Sequence, residues 1–153
     1  MSDAEFKSKK KRKSGIPTGN AGEYLVMGEL LRRGFDAQLA DRNTKGYDVL
    51  AALHDQAHFK RIQVKTVRTQ PWFVRRPSFE GVMREELTIY VLLGLESGVD
   101  PVRFFIVKNG EVAEHVHYPP DWHEQPKWRD QGFLPLKAIE KYENNWNAVC
   151  PSN

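Results

Sequence analysis

Four polar side chains in the first half of the chain have types and spacings that suit metal-assisted chemistry at a phosphate group: Glu23, Asp48, Gln63 and Lys65. A divalent cation neutralises the charge that develops when water attacks a phosphodiester, and oxygen atoms must hold that cation. Carboxylate and amide oxygens are hard ligands of the kind that Mg²⁺ prefers. A lysine ammonium can orient the water or stabilise charge on the phosphate. These four residues are therefore the candidate catalytic set.

A β-hairpin is predicted to bring three of the four groups together. Its strands are residues 46–53 and 59–66, and the polar stretch between them suits a hairpin connection. Successive side chains of a strand alternate between its faces, so Gln63 and Lys65 share one face of the second strand. Asp48 lies near the start of the first strand. A strand that served stability alone would not need an amide and an ammonium on one face.

The expected cation ligands come from this hairpin and from a preceding helix. Asp48 offers a carboxylate, Gln63 an amide oxygen, and Val64 a backbone carbonyl between Gln63 and Lys65. Glu23 is expected to bind a second metal ion or its water. The expected cofactor is Mg²⁺ or Mn²⁺.

A helix over residues 21–33 is predicted to carry Glu23. Asn20 and Glu23 match the capping-box pattern at its start, and Gly34 suits its end. Glu23 is in line with the apolar positions that follow it and is expected to lean inward; a role limited to capping is the alternative. Glu29 precedes two arginines by one turn, which is typical of a surface ion pair. The predicted apolar face consists of Tyr24, Val26, Met27, Leu30 and Leu31.

The remaining segments predict a mixed α/β domain, in which helices flank a central sheet. The apolar run 87–95 is typical of a buried central strand, and Asn109-Gly110 is a strong hairpin-turn signal. The other predicted elements are strands at 35–40, 102–108 and 111–117, a short helix at 136–142, a surface loop at 118–132 and a loosely held end at 143–153.

Arginines alternate with aromatic residues between positions 67 and 86, where Pro71 and Pro77 predict a long irregular segment. Such a segment can hold phosphates and stack on bases. The alternative is that its aromatic residues Trp72, Phe73 and Phe79 anchor it to the core. The expected nucleic-acid contacts of the domain are Arg68, Arg75 and Arg76, together with Lys45 in the loop before Asp48.

The N-terminal tail is strongly basic, whereas the rest of the chain is close to neutral. Residues 1–15 hold six Lys/Arg and two acidic residues, and the 153-residue chain has a net charge of +3. Residues 1–17 are predicted to be a disordered tail that is drawn to polyanions through Lys10, Lys11 and Arg12. A tail that only aids solubility is the alternative. Residues 18–153 are expected to form one domain.

Several classes of protein and site do not fit this sequence. The single cysteine, Cys150, cannot form an internal disulfide, and no apolar run approaches the roughly 20 residues of a membrane span. The basic N-terminus lacks the apolar segment of a signal peptide. We therefore expect a cytoplasmic protein without membrane contact. His115, His117 and His123 are expected to be surface residues and not zinc ligands.

The order of these motifs resembles the PD-(D/E)XK nuclease superfamily, in which a glutamate-bearing helix precedes a hairpin with an aspartate and a (D/E)-x-Lys motif. Gly46-Tyr47-Asp48 takes the place of the Pro-Asp element, and Gln63-Val64-Lys65 that of (D/E)-x-Lys. The segment from Gly22-Glu23 to Gly34-Phe35 is similar to the helix of archaeal Holliday-junction resolvases. Gln63 replaces an acidic residue, as in some homing-endonuclease-like members.

This resemblance implies a restriction-endonuclease-like fold and a Mg²⁺- or Mn²⁺-dependent DNA endonuclease of repair, recombination, mobile elements or phage defence. The charge lost at Gln63 leaves a second class open: a non-catalytic module on the same fold that binds nucleic acid or a protein. A third class is an inhibitor or immunity-type protein that uses the Trp-rich surface. DNA is the expected partner, and a homodimer is an open alternative to a monomer.

Overall fold

A five-stranded mixed sheet forms the centre of the computed structural model, which describes residues 16–41, 43–53, 58–96 and 98–151. A two-stranded sheet packs on one of its faces. In chain order the strands are β1 Phe35–Leu39, β2 Val49–Leu53, β3 Lys60–Val67, β4 Trp72–Arg75, β5 Leu87–Leu92, β6 Arg103–Lys108 and β7 Gln131–Leu134. The α-helices are α1 Ile16–Arg32, α2 Asn109–Val112 and α3 Leu136–Ile139. The predicted mixed α/β fold is confirmed.

The large sheet has the strand order β1-β2-β3-β5-β6, and β4 and β7 form the small sheet. All neighbours in both sheets are antiparallel except β3 and β5, which run parallel. Partners change along β3: residues 60–62 pair with β2, and residues 62–67 pair with β5. β5 is buried along nearly its whole length because it lies inside the sheet and is covered on both faces.

Helix α1 begins earlier than predicted, at Ile16, and ends at Arg32. Asn20 therefore lies inside the helix and does not cap it, while Pro17 is tolerated because a first-turn N–H has no helical partner. Gly34 has a φ of +90°, which confirms the predicted stop. Residues 1–15, which include Lys10, Lys11 and Arg12, lie outside the described residues, so the tail stays a prediction.

The sheet separates two apolar clusters. One cluster lies between α1 and the large sheet and holds Val26, Leu30, Val49, Ile62, Val64, Ile89, Ile106, Trp146 and Val149 among others. The other lies under the small sheet and holds Trp72, Val74, Tyr90, Phe105, Leu134 and Ile139 among others. Tyr24 and Leu31 were predicted to face the core, but they are 65% and 53% exposed, because α1 covers the sheet with a narrow stripe.

The segment 67–86 is more regular than predicted. It contains β4 and two 3₁₀ helices, Arg76–Phe79 and Gly81–Glu85. Trp72 and Phe79 are buried, which confirms that these two aromatic residues anchor the segment, whereas Phe73 is 53% exposed. The alternation of buried and exposed side chains along β4 explains why the segment forms a strand despite its flanking prolines.

The predicted hairpin at Asn109-Gly110 is wrong, because Asn109 is buried and its amide is used in the interior. Its Oδ1 accepts a hydrogen bond from the Thr88 hydroxyl at 2.6 Å, and its Nδ2 donates to the carbonyl of Met83 at 2.9 Å. The chain enters α2 there and continues into a 3₁₀ helix, Ala113–His115, instead of a returning strand.

The C-terminal segment was predicted to be loosely held, but it is packed against the domain. Trp146 and Val149 are buried, and the Lys60 ammonium donates to the carbonyls of Ala148 and Cys150 at 3.1 and 2.9 Å. The helix predicted at 136–142 is confirmed as α3 followed by a 3₁₀ turn. Within the described part of the chain, none of the helices has the length and apolar character needed to cross a membrane.

Candidate active site

Asp48 directly precedes the first residue of β2, beside the part of β3 that continues past the β2 pairing. Its backbone N–H donates to the carbonyl of Ile62, and its Oδ2 accepts from the backbone N–H of Val64, both at 2.8 Å. The carboxylate therefore takes the place of the next backbone acceptor that β2 would have offered to β3. The N–H and C=O of one strand residue point to the same edge, so the carbonyl of Val64 faces this opening too.

Gln63 and Lys65 lie on the face of β3 opposite Ile62 and Val64, as the alternation predicted. Ile62 pairs with Val49 in the last residue pair between β2 and β3, so Gln63 directly follows that pair in β3 and Asp48 directly precedes it in the chain. Gln63, Lys65 and Asp48 are therefore close to the same end of this pairing along the backbone, and their convergence in one site stays a prediction.

Lys65 is half-buried, and its electrostatic surroundings tie it to Asp48. Burial lowers the pKa of the Lys65 ammonium below its ordinary value, the Asp48 carboxylate opposes this shift, and the Arg75 guanidinium adds to it. The net direction is down. Lys65 therefore carries a proton that is released more readily than that of a solvated lysine.

Glu23 and Asp48 line one cleft, of about 490 Å³, beside this strand end. The cleft is lined by Asn20, Glu23, Tyr24, Leu39, Ala40, Asp41, Thr44, Tyr47 and Asp48. Glu23 is half-buried where it lines this cleft. Glu29 instead contacts Arg32 and Arg33 at 3.0 and 3.4 Å near the surface, as predicted.

Two residues of this cleft were missed in the sequence. No motif marks Asp41, yet it adds a third carboxylate to the walls. Tyr47 was treated only as a replacement for proline, but it lines the cleft, and the Arg61 guanidinium lies 5.9 Å from the centre of its ring. A backbone hydrogen bond from Ala40 to Asp48, which no residue type announces, brings the loop after β1 beside Asp48.

A close approach at Gly22 sets the distance between α1 and β3. A Cβ atom on Gly22 would lie 2.7 Å from the Cβ of Thr66 and nearer still to its Oγ1, which leaves no space for a side chain. Glu23 follows directly in the helix, and Lys65 directly precedes Thr66 in the strand. The glycine therefore fixes how far Glu23 stands from the strand that carries Lys65.

The basic residues predicted to contact nucleic acid differ in their exposure and in the groups that they contact. Lys45, Arg68 and Arg75 are exposed. Arg68 also reaches the carbonyl of Gly94 at 3.5 Å. Arg76 is half-buried with its guanidinium 4.1 Å from the centre of the Tyr118 ring, so part of its role is packing.

The oxygen donors near Asp48 are of the type that a hard cation prefers, but only one of them carries a negative charge. A carboxylate, an amide oxygen and a backbone carbonyl are all oxygen donors, and Mg²⁺ usually keeps several waters beside one or two carboxylates. Among the residues that the structure describes, no three His, Cys, Asp or Glu side chains are grouped closely enough to hold a metal ion. His115, His117 and His123 are exposed.

Solved structures with the same architecture are found among nucleases. A Holliday junction resolvase, Hjc of Archaeoglobus fulgidus, matches with a TM-score of 0.53 and 14% identity over 88% of this chain and 98% of the resolvase. The chain has the restriction-endonuclease-like fold. This confirms the fold that the motif order implied. The bacterial homing endonuclease I-Ssp6803I matches this fold with a TM-score of 0.50 and 12% identity over 89% of this chain and 92% of the endonuclease.

No family model matches the sequence, and no curated protein matches it either. Between 12% and 14% identity, the similarity to the two structures establishes the fold alone. The roles of Glu23, Asp48, Gln63 and Lys65 therefore stay predictions, which depend on the geometry described above.

Proposed function

We propose that this chain is a metal-dependent DNA endonuclease that hydrolyses phosphodiester bonds in the cytoplasm, in repair, recombination, mobile elements or phage defence. The observation that carries the proposal is the Asp48 carboxylate, which the N–H of Val64 holds at the open end of β3 beside Lys65. The two nuclease structures with this fold act on DNA according to their names, which supports DNA as the substrate class.

Each residue of the set has a distinct role in this proposal. Asp48, the Gln63 amide oxygen and the Val64 carbonyl hold Mg²⁺ or Mn²⁺, and Glu23 binds a second ion or its water across the cleft. The bound cation would supply Lewis-acid stabilisation of the charge on the phosphate. Lys65 orients the attacking water or stabilises the same charge, and its lowered pKa eases the exchange of a proton.

Basic residues around the cleft hold the DNA backbone in this proposal. Lys45, Arg68 and Arg75 are exposed, and in this proposal Lys10, Lys11 and Arg12 extend the contact along the tail. Each phosphate contact releases a counterion, so the affinity falls with salt. Deletion of residues 1–13 should weaken DNA binding and flatten the slope of affinity against salt; an unchanged slope would remove the tail from the interface.

A homodimer is the assembly we propose for the active form, because α1 exposes apolar side chains that the fold does not need to expose. Tyr24 and Leu31 are 65% and 53% exposed and lie two turns apart on the same side of the helix. Leu31→Glu should reduce the fraction of dimer measured by analytical ultracentrifugation. A wild-type chain that sediments as a monomer at every concentration would contradict the dimer.

The test of the nuclease is cleavage of plasmid, flap, four-way junction and single-stranded DNA with Mg²⁺ or Mn²⁺. Asp48→Asn keeps the shape of the side chain and removes its charge, and it should lower the cleavage rate at least about 100-fold. Lys65→Ala should also abolish cleavage while DNA affinity stays within about twofold, since its role is at the reacting phosphate. Glu114→Gln, which removes an exposed charge elsewhere, is the matched control. Cleavage that survives Asp48→Asn would refute the assignment of this site.

A second candidate function is a non-catalytic module that binds nucleic acid or a protein, and Gln63 is the observation that favours it. An amide oxygen holds a cation more weakly than a carboxylate because it carries only a partial charge. In a nuclease, Gln63→Glu should keep or raise the Mg²⁺ affinity. In a binding module, Asp48→Ala should leave DNA affinity unchanged or improved, since a negative charge near the phosphates is lost. Absence of cleavage by the wild type on every substrate would favour this candidate.

A further inference from the structure

The outer face of the small sheet carries large aromatic side chains in solvent. Trp72 and Val74 of β4 point inward and are buried, so Phe73 and Arg75 point outward. Phe73 lies opposite Phe133 of β7 in the strand register, and Arg75 lies opposite Gln131. Directly opposite residues of an antiparallel pair share a face.

Two tryptophans from the segment before β7 complete this surface. The Trp122 ring lies 6.3 Å from both Phe73 and Phe133 between ring centres, and Trp128 lies 6.2 Å from Trp122. Together they form a cleft of about 390 Å³, here called the aromatic cleft, which is lined by Phe73, Trp122, Lys127, Trp128 and Gln131. Phe73 and Trp128 stay 53% and 38% exposed. This volume lies within the range typical of small-ligand sites.

The aromatic cleft lies on the side of the large sheet that Lys65 faces. Lys65 is the register partner of Tyr90 in β5, and the Trp72 ring packs against Tyr90 at 5.6 Å between ring centres, which brings β4 over this part of the sheet. On the outer face of β4, Phe73 lies two residues from Arg75, about 7 Å along the strand. A DNA strand whose phosphate lies at Arg75 would therefore place a neighbouring base at Phe73.

We propose that the aromatic cleft binds an unpaired nucleobase of the DNA strand that enters the active site. The inference rests on the proposed function and specifies its substrate as DNA with a single-stranded element. Aromatic rings stack on any base. Gln131 offers both a donor and an acceptor to a base edge, and the Lys127 ammonium can reach a phosphate.

The charges around the aromatic cleft favour a base over a run of duplex phosphates. Lys127 and Arg129 are interspersed with Asp121, Glu124 and Asp130 along the same segment. A surface that tracked a duplex backbone would carry an excess of cations instead. Binding here must therefore come from stacking, while Arg75 supplies the contact to the backbone.

The experiment compares a short oligothymidine with an abasic strand of the same length, in EDTA so that cleavage plays no part. The wild-type chain should bind the oligothymidine about 5- to 150-fold more tightly, the range expected for one stacked base, and its tryptophan fluorescence should be quenched only by that strand. Phe73→Ala should remove the preference while binding to blunt duplex DNA stays unchanged. Trp128→Ala is a second variant that should act in the same way if the first fails to fold.

Phe59→Ala is the matched control, because Phe59 is 46% exposed and lies outside both the aromatic cleft and the site. It should keep the full preference for bases. Equal binding of the two strands by the wild type, with duplex binding intact, would overturn this inference and leave the nuclease proposal standing. Equal weakening of both strands by Phe73→Ala would also overturn it. If no DNA of any kind is bound, the proposed function fails as well.

Discussion

The two halves of β3 differ in what lies beside them. Residues 60–62 have β2 as a neighbour, and Lys60 joins this half to the C-terminal segment through two carbonyls. Residues 63–67 pair with β5 on one side; on the other side the described part of the chain places no strand, and the Asp48 carboxylate accepts the N–H of Val64. On this side, residues 60–62 are paired with the backbone of β2, whereas Val64 in the second half is hydrogen-bonded to the side chain of Asp48.

This difference shows how a side chain can take over part of the role of a missing strand. The N–H of Val64 lies beyond the last residue pair of β2 and β3, and Asp48 accepts its hydrogen bond. A carboxylate that satisfies the backbone in this way is held rigidly and still has a second oxygen for other ligands. Residues 60–62 should therefore contribute mainly to stability. In residues 63–67, side chains that serve the candidate site should lower stability.

The largest expected effect on stability comes from the contact that closes the second half. Gly22→Ala should lower the free energy of unfolding by about 1–3 kcal/mol, because the added methyl overlaps Thr66 and α1 must shift away from β3. Urea unfolding monitored by circular dichroism measures this change. The cleavage rate should fall as well, since Glu23 moves with the helix.

Gly28→Ala in the same helix is the control for this prediction. No atom lies within 4 Å of the position where its Cβ would stand. Alanine is favoured over glycine inside a helix by up to about 1 kcal/mol, so this variant should be more stable than the wild type. The comparison of the two halves would be wrong if both alanine variants were stabilising.

The next effect concerns the first half of β3 and its connection to the C-terminal segment. Lys60→Met keeps the length of the side chain but removes the donor to Ala148 and Cys150. We expect a loss of about 1–2 kcal/mol in unfolding free energy, because two partly buried carbonyls lose a charged partner. Thermal unfolding measures it, and the affinity for DNA should not change. A stability equal to that of the wild type would show that this connection has no energetic weight.

The smallest expected effect on stability is a gain and not a loss, and it concerns Lys65 in the second half of β3. The pKa of Lys65 is lowered on folding, so between this lowered pKa and 10.5 the unfolded chain binds more protons and stability rises with pH. Below that window both states are charged, and the folded state carries the full cost of burying the ammonium. Lys65→Met should therefore be more stable than the wild type at pH 7, and its advantage should shrink as the pH rises towards 10.5. Unfolding in urea at several pH values tests the trend; an advantage independent of pH would contradict it.

The sequence predicted the elements in which residue types alternate with a clear period. The faces of β3 and the stop of α1 at Gly34 followed from local rules, because their determinants lie within a few residues. Asn109-Gly110 failed, since the amide of Asn109 is used by Thr88 and Met83, which are distant in sequence. A local turn signal carries no information about such partners.

The candidate site was predictable to a similar extent. The residue types and order at Glu23, Asp48 and Lys65 were visible in the sequence, and the cleft joins the first two of them. Asp41 was not predictable, because a backbone bond between Ala40 and Asp48 brings its loop to the cleft. The aromatic cleft was equally hidden, since it depends on the pairing of β4 with β7 across more than fifty residues.

The hydrogen bonds from Lys60 to the carbonyls of Ala148 and Cys150 suggest a use of the C-terminal segment as a reporter of ligand binding. Because the same strand carries Lys60 and the candidate site, we expect release of residues 146–151 and loosening of β3 to be coupled. A ligand that binds the closed form lowers the population of the open form in proportion to its saturation. Limited proteolysis at this segment should thus slow when DNA or a cation binds, and it would register binding by variants that cut nothing.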